Sequence, residues 1–220
     1  MDACEVFEQP LGGPARTVHL GLVKPVNGGI DECAASHEWN AEGVLRIPHL
    51  LPLSPVPLNA FYSGSTVLVT GASRGLGAAF AERLGHLGAH VLLVARSPDE
   101  LMAVAERVRH NGGTTTVLVS DLGSPGAADL LVARLQELDT PVDVLINNAG
   151  YGIVGPFLEA SAEDAEGMGL LNAVALTGLT RQLVPGMVER GRGGVLNVGS
   201  VASFVPAPRF AVYAATKAYV

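Results

Sequence analysis

Cysteine is scarce in this chain of 220 residues: only Cys4 and Cys33 occur, with no CxxC spacing. That excludes a disulfide-stapled scaffold and points to a reduced, cytoplasmic compartment. No run of about 18 uninterrupted apolar residues exists, so neither a membrane-spanning helix nor a membrane partner is expected. The most apolar unusual stretch, 44–61, is interrupted by Pro48, Pro52, Pro55 and Pro57, and prolines at that density stop a helix. Positive charge is short as well. The formal net charge of −7 argues against a nucleic-acid partner held by phosphate contacts. The first residues, MDACEVFEQP, have neither a basic n-region nor an apolar h-region, so no secretory signal is visible. His19, His37 and His49 are scattered, and Cys33 with His37 is a lone pair. A zinc site takes about three or four ligands, so no metal is assigned. Lysine is represented only by Lys24 and Lys217, which makes the placement of either one informative.

Apolar residues are plentiful: 48% of the chain is hydrophobic and the mean hydropathy is +0.34. That is too apolar for a disordered chain, and the length suits one large domain or two small ones. Composition changes near residue 60. Residues 1–60 hold seven of the 14 prolines and seven acidic residues against three basic ones, without sustained periodicity. They read as a proline-rich extension, poorly ordered or peripheral, in which 17–23 (TVHLGLV) could form an edge strand. Residues 61–220 form the expected domain.

From Phe61 onward strand and helix signals alternate. Short β-branched or leucine-rich runs at 66–69, 91–94, 116–119, 142–146 and 195–198 read as strands, the first of them buried on both faces. Helices are predicted over 76–87, 98–110, 127–138 and 162–190, the last disturbed near Pro185, with another beginning around Val212. Pro98 suits a first-turn position, Asp99 and Glu100 complement the helix dipole, and Asn111-Gly112-Gly113 stops that helix. Such alternation implies an α/β fold, a doubly wound parallel sheet of the Rossmann-like type with about five strands.

Thr70-Gly71-Ala72-Ser73-Arg74-Gly75-Leu76-Gly77 falls between the first of these strands and its helix. There, backbone N–H groups and the positive helix end can face a pyrophosphate. Gly71 can adopt dihedrals closed to other residues, Gly75 allows backbone to approach phosphate, and Gly77 allows the helix to pack close to the strand. The spacing is TGxxxGxG rather than GxGxxG. It is accompanied by Asn147-Asn148-Ala149-Gly150 after the fourth strand, and by Tyr213-Ala214-Ala215-Thr216-Lys217 with Ser200 thirteen residues earlier. Together these motifs resemble the short-chain dehydrogenase/reductase family over residues 65–220; residues 1–60 lie outside the resemblance.

Tyr213 and Lys217 are four apart, so on a helix they share a face. A phenol is a poor acid–base group at neutral pH, and a nearby ammonium favours its ionised form. The resemblance implies more. Tyr213 would exchange the proton with the substrate oxygen, and Lys217 would also hold the nicotinamide ribose. Ser200 would hydrogen-bond the substrate oxygen, and Asn172 would hold a water linking Lys217 to solvent. Gly71, Ser73, Arg74, Gly75, Leu76, Gly77, Arg96, Asp121, Leu122, Asn148, Ala149 and Gly150 would bind the dinucleotide, together with Tyr213 and Lys217. The second strand ends at Ala95-Arg96 without a carboxylate, and Arg74 can reach the same region. Two guanidinium groups suit a 2′-phosphate, so NADP(H) is expected over NAD(H).

The implied reaction moves a hydride between nicotinamide and a small carbonyl or secondary-alcohol substrate. A nucleotide-binding regulator or non-catalytic fragment of the same fold stays open. TGxxGxxG of the extended epimerases and the wider Tyr–Lys spacing of the enoyl reductases are both absent. Phe204, Pro206, Pro208, Phe210 and the loop 151–157 could line an apolar pocket. The chain stops three residues past Lys217, where relatives continue with further strands. The resemblance therefore predicts an incomplete, C-terminally truncated catalyst with the fifth strand as an unpaired apolar edge. A homo-oligomer stays open for a full-length form, and residues 1–60 are expected to be dispensable for NADP(H) binding.

Overall fold

Val67, Leu68 and Val69 are fully buried in succession, and this sets the architecture. Val67 and Val69 enter one apolar cluster while Leu68 enters another, so the strand is covered on both faces. The computed structural model describes residues 5–10, 16–21, 38–39, 45–46 and 58–220. Cys4, Cys33, His37 and His49 lie outside the described residues, as does most of the proline-rich stretch.

The elements in chain order begin with strands β1 (Glu5–Pro10) and β2 (Arg16–Gly21) and a two-residue ribbon of β3 (Glu38–Trp39) and β4 (Leu45–Arg46). Then come α1 (Leu58–Tyr62), β5 (Thr66–Thr70), α2 (Gly75–His86), β6 (His90–Ala95), α3 (Pro98–His110), β7 (Thr114–Val119), α4 (Ala127–Glu137) and β8 (Val144–Asn147). They are followed by α5 (Ala162–Gly169), a π-helical segment (Leu170–Ala175), α6 (Leu176–Glu189), β9 (Gly194–Val198) and α7 (Ala211–Tyr219). The predicted elements of the region after residue 60 are all present, with ends displaced by no more than two residues.

The five strands β9-β8-β5-β6-β7 lie side by side in that order, each pair parallel. Helices α2 and α3 cover one face through Ala81, Leu84, Leu101 and Val104. Helices α4 and α6 cover the other through Leu131, Leu135, Leu179 and Met187. The domain is thus a Rossmann-like doubly wound α/β sheet. The chain reverses its direction of travel across the sheet between β5 and β8. The crevice at the carboxyl ends of those strands is where such sheets place ligands.

Two expectations need correction. The fifth strand, β9, is not a bare edge: β2 runs parallel to it from Arg16↔Gly194 to Leu20↔Val198, and β1 pairs outside β2. The expected strand at 17–23 is present over its described residues, 17–21, but β1 forms the edge. A ladder partner satisfies the row of N–H and C=O groups that an edge would leave open. Second, the long helix is not disturbed at Pro185, which sits within regular α6. Proline removes one N–H donor, and buried Leu179 and Met187 hold the helix down on either side. The irregularity lies earlier, where 170–175 open into a π turn.

Candidate active site

The glycine turn after β5 and the Asn-Asn-Ala-Gly turn after β8 are fastened to each other. Thr70 Oγ1 accepts from the backbone N–H groups of Asn148 and Ala149, both at 3.0 Å, and donates to Ile146 O at 3.1 Å. Asn148 Nδ2 donates to Thr70 O at 2.9 Å and Gly71 O at 3.2 Å. Space here is too small for side chains. A Cβ on Gly71, whose φ is +66°, would stand 2.9 Å from Ala149 Cα; one on Gly77 would meet Gly71 O at 2.2 Å. Gly75, with φ +56°, needs glycine for its dihedral, and no atom of the chain lies within 4 Å of a Cβ there. No side chain caps the start of α2, so its first amides are left to an outside acceptor.

These turns floor a cleft of about 550 Å³. Gly71, Ser73, Arg74, Leu76, Arg96, Asp121, Leu122, Asn148, Ala149, Gly150, Tyr213 and Lys217 all line it. Gly75, Gly77, Asn172 and Ser200 do not. Gly77 acts one layer back by letting α2 approach the turn. A glycine-walled cradle beside an uncapped helix start fits a dinucleotide pyrophosphate.

At the far end of the cleft, the expected pair of guanidinium groups has a competitor. Glu100, on the first turn of α3, supplies a carboxylate that strand β6 lacks, and its Oε2 lies 3.4 Å from Arg74 Nη2. Arg74 is 78% exposed, so this pair is weak. Even so, an incoming phosphate has to displace it, whereas Arg96 has no such partner among the described ion pairs. Asp121 both lines the cleft and caps its own turn, its Oδ1 accepting from Gly123 N at 3.0 Å.

The Tyr213 end is built on a buried polar network. Asn172 is 1% exposed, carried inward by the π turn, a helix irregularity often found at functional sites. Its Oδ1 accepts from Tyr151 N at 3.1 Å, while its Nδ2 donates to Tyr151 O at 2.9 Å and Thr216 Oγ1 at 3.0 Å. Thr216 Oγ1 in turn donates to Tyr213 O at 2.8 Å. The amide orientation follows from this pattern, because a donor faces Oδ1 and acceptors face Nδ2. The side chain of Asn172 therefore clamps the loop after β8 to α7. Asn172→Leu is expected to leave the Tyr151 N–H and C=O without these partners and Thr216 Oγ1 with only its bond to Tyr213 O, at about 1–3 kcal/mol for each group left unsatisfied. A denaturant titration showing a smaller loss than that for one group would remove the clamp from the account.

Lys217 is 7% exposed, and its Nζ donates to Val198 O at 2.7 Å. Burial pushes its ammonium below the ordinary lysine range. The Nζ lies 5.9 Å from the centroid of the Tyr213 ring. Gly150 borders both groups of this corner: a Cβ there would stand 3.0 Å from Asn172 Oδ1 and 3.6 Å from Lys217 Nζ. Ser200 also closes a turn of its own. Its Oγ caps the turn 201–203, accepting from Ala202 N at 3.2 Å. A hydroxyl has one proton and two lone pairs, so this cap leaves the O–H free to donate.

Tyr151, Leu171, Ser97, Ser120, Val198 and Gly199 also line the cleft and escaped sequence reasoning, except that Tyr151 was assigned to an apolar substrate wall. Their only signal is adjacency to motif residues. Of that expected wall, 153–157 and Pro208 do border a smaller cavity of about 210 Å³. Phe204 is 65% exposed instead, and Phe210 packs on Tyr213.

The profile of the short chain dehydrogenase family matches residues 65–220, and the chain belongs to that family. A fatty acyl-CoA reductase of Mycobacterium tuberculosis is 41% identical over 174 residues, covering 78% of this chain and 59% of that relative. A 3-oxoacyl (acyl-carrier-protein) reductase of Agrobacterium tumefaciens, solved with NADP bound, superposes with a TM-score of 0.68 at 36% identity, covering 76% of this chain and 66% of that one. A short-chain dehydrogenase of Sphingobium yanoikuyae in complex with NADPH gives 0.66 at 41% identity, covering 71% and 61%. The chain thus spans about three-fifths of the length of the first of these. No helix among the described residues is long and apolar enough to cross a membrane.

Proposed function

We propose that this chain carries the cofactor-binding and acid–base part of an NADP(H)-dependent oxidoreductase of the cytoplasm. Its substrate is a small carbonyl compound or secondary alcohol. The observation that carries the reading is Lys217, buried on the same helix as Tyr213 at the mouth of a glycine-walled cleft. When bound, the nicotinamide supplies the hydride. Tyr213 holds the proton at Oη for the substrate oxygen. Lys217, anchored by Val198 O, keeps a cation beside that phenol and has further N–H donors for the ribose. Ser200 donates its free O–H to the same substrate oxygen. Asn172 positions Tyr213 and Lys217 through Thr216. NADPH oxidation screened against aldehydes, ketones and 3-oxoacyl thioesters tests the reading. The acyl compounds enter because relatives are named reductases of fatty acyl-CoA and 3-oxoacyl carrier protein. NADPH binding without turnover on any of them would favour a nucleotide-binding regulator.

The preference for NADP(H) rests on Arg96 more than on Arg74, because Glu100 already engages Arg74. A charge-assisted hydrogen bond contributes about 1.5–3 kcal/mol. Arg96→Ala is therefore expected to weaken NADPH binding about 10- to 100-fold while NADH affinity barely changes. Arg74→Ala is expected to cost less. Fluorescence titration of both cofactors checks this, and equal dissociation constants for NADPH and NADH in the parent protein would refute it.

A further inference from the structure

We infer that Phe210 and Gly152 are positioning residues for Tyr213, fixing the plane of its ring by aromatic packing. The inference rests on the reading of Tyr213 as the proton donor. Among the described residues Tyr213 Oη makes no hydrogen bond; the bonds of this helix turn run through the Tyr213 backbone, Thr216 and Lys217. The ring is therefore oriented by what packs on it. Phe210 precedes α7 by one residue and stands three before Tyr213, a spacing that brings side chains together across a helical turn. The two rings stack with centroids 4.3 Å apart and planes 25° from parallel, an arrangement aromatic pairs favour when offset.

Gly152 closes the packing from the loop side. A Cβ on it would stand 2.6 Å from Phe210 Cε2 and 2.7 Å from Tyr213 Cδ2. Its backbone thus abuts both rings. The loop cannot simply retreat, because it is tied on either side of Gly152. Tyr151 is held by the Asn172 amide, and Gly155 N donates to Arg209 O at 2.8 Å. Phe210 on one ring face and the Gly152 backbone at the ring edge leave the phenol one orientation. Its proton is then delivered along a fixed line, and proton transfer is sensitive to that geometry.

Two readouts test this on the 220-residue chain. In protein labelled with ring-13C tyrosine, the Tyr213 signal is identified by its disappearance in Tyr213→Phe. Its ring protons are expected upfield through the Phe210 ring current, to move downfield in Phe210→Leu, and to stay in Phe210→Trp. Gly152→Ala, whose methyl intrudes on both rings, is expected to move the same signal. In turnover of any carbonyl compound that the NADPH screen returns, Phe210→Leu is expected to lower kcat by about 10- to 100-fold, the scale of a misplaced reacting group. KM and NADPH affinity should stay within about 2-fold, well inside that span, and Phe210→Trp should restore kcat. An unstacked Tyr213 signal in the parent protein overturns the inference. So does a Phe210→Leu variant that turns over like the parent, or that loses kcat, KM and melting temperature together. If no compound of the screen turns over, the proposed reaction fails, and the resonance still decides the stack.

Discussion

Tyr213→Phe is expected to reduce turnover by about 10²–10⁴-fold, the usual contribution of a positioned acid–base group, or about 3–5 kcal/mol of barrier. Cofactor affinity is expected to hold. The substitution removes one oxygen and keeps the ring, so the Phe210 stack and the Gly152 contact survive. Lys217 keeps its bond to Val198 O, and Thr216 keeps its bond to the backbone of residue 213. The loss should therefore fall on kcat and kcat/KM equally, the signature of an interaction made only in the transition state. Near-parental turnover would take Tyr213 out of the mechanism. A variant that lost NADPH binding in proportion would instead make the phenol a cofactor ligand.

Gly77→Ala is expected to abolish dinucleotide binding. The added methyl would stand 2.2 Å from Gly71 O and 2.6 Å from Asn148 Nδ2. Neither can yield cheaply: Gly71 O is backbone, and Asn148 is held to Thr70 O and Gly71 O. Helix α2 must back away from the turn, taking Ala78 and Ala81 out of their cluster. Overpacking of this kind costs about 1–3 kcal/mol or more. Isothermal titration should show no measurable NADPH affinity, and the melting temperature should fall. Gly75→Ala provides the contrast, since its Cβ meets nothing within 4 Å. Within the fold it incurs only left-handed strain of about 1–2 kcal/mol, to which its methyl adds a longer approach to the phosphate, and it should retain weak binding. If Gly77→Ala bound NADPH as well as Gly75→Ala does, close helix–turn packing would not be what the cradle requires.

The helix and strand pattern from residue 60 onward was readable because each element carries local information. β-branched runs, Pro98 followed by Asp99 and Glu100, and glycines at the turns act within a few residues of where they stand. The cofactor cleft was readable for a related reason. Its walls are two turns at strand ends, and a parallel sheet puts the carboxyl ends of all its strands on one edge, where β5 and β8 stand as neighbours. The positions of Lys217 and Tyr213 on one helical face follow from a spacing of four residues.

Other features depend on contacts between residues far apart in the chain. Glu100 reaches Arg74 only after α2 and α3 pack side by side. Asn172 becomes a clamp because Tyr151 and Thr216, 21 and 44 residues away, converge on its amide. The π turn that carries Asn172 inward has no composition of its own, whereas Pro185 has an obvious one and leaves α6 unbroken. Strand β2 settles against β9 across some 180 residues of chain, and its own sequence specifies a strand without specifying a neighbour. Gly152 against the Phe210–Tyr213 stack belongs to the same group. What the sequence by itself determined is the order of elements and the chemistry brought to the strand ends, because propensity and motif spacing are short-range. Which amide faces which carbonyl, which carboxylate finds a guanidinium and what holds the Tyr213 ring were decided by packing alone, since those energies exist only once distant segments are in contact.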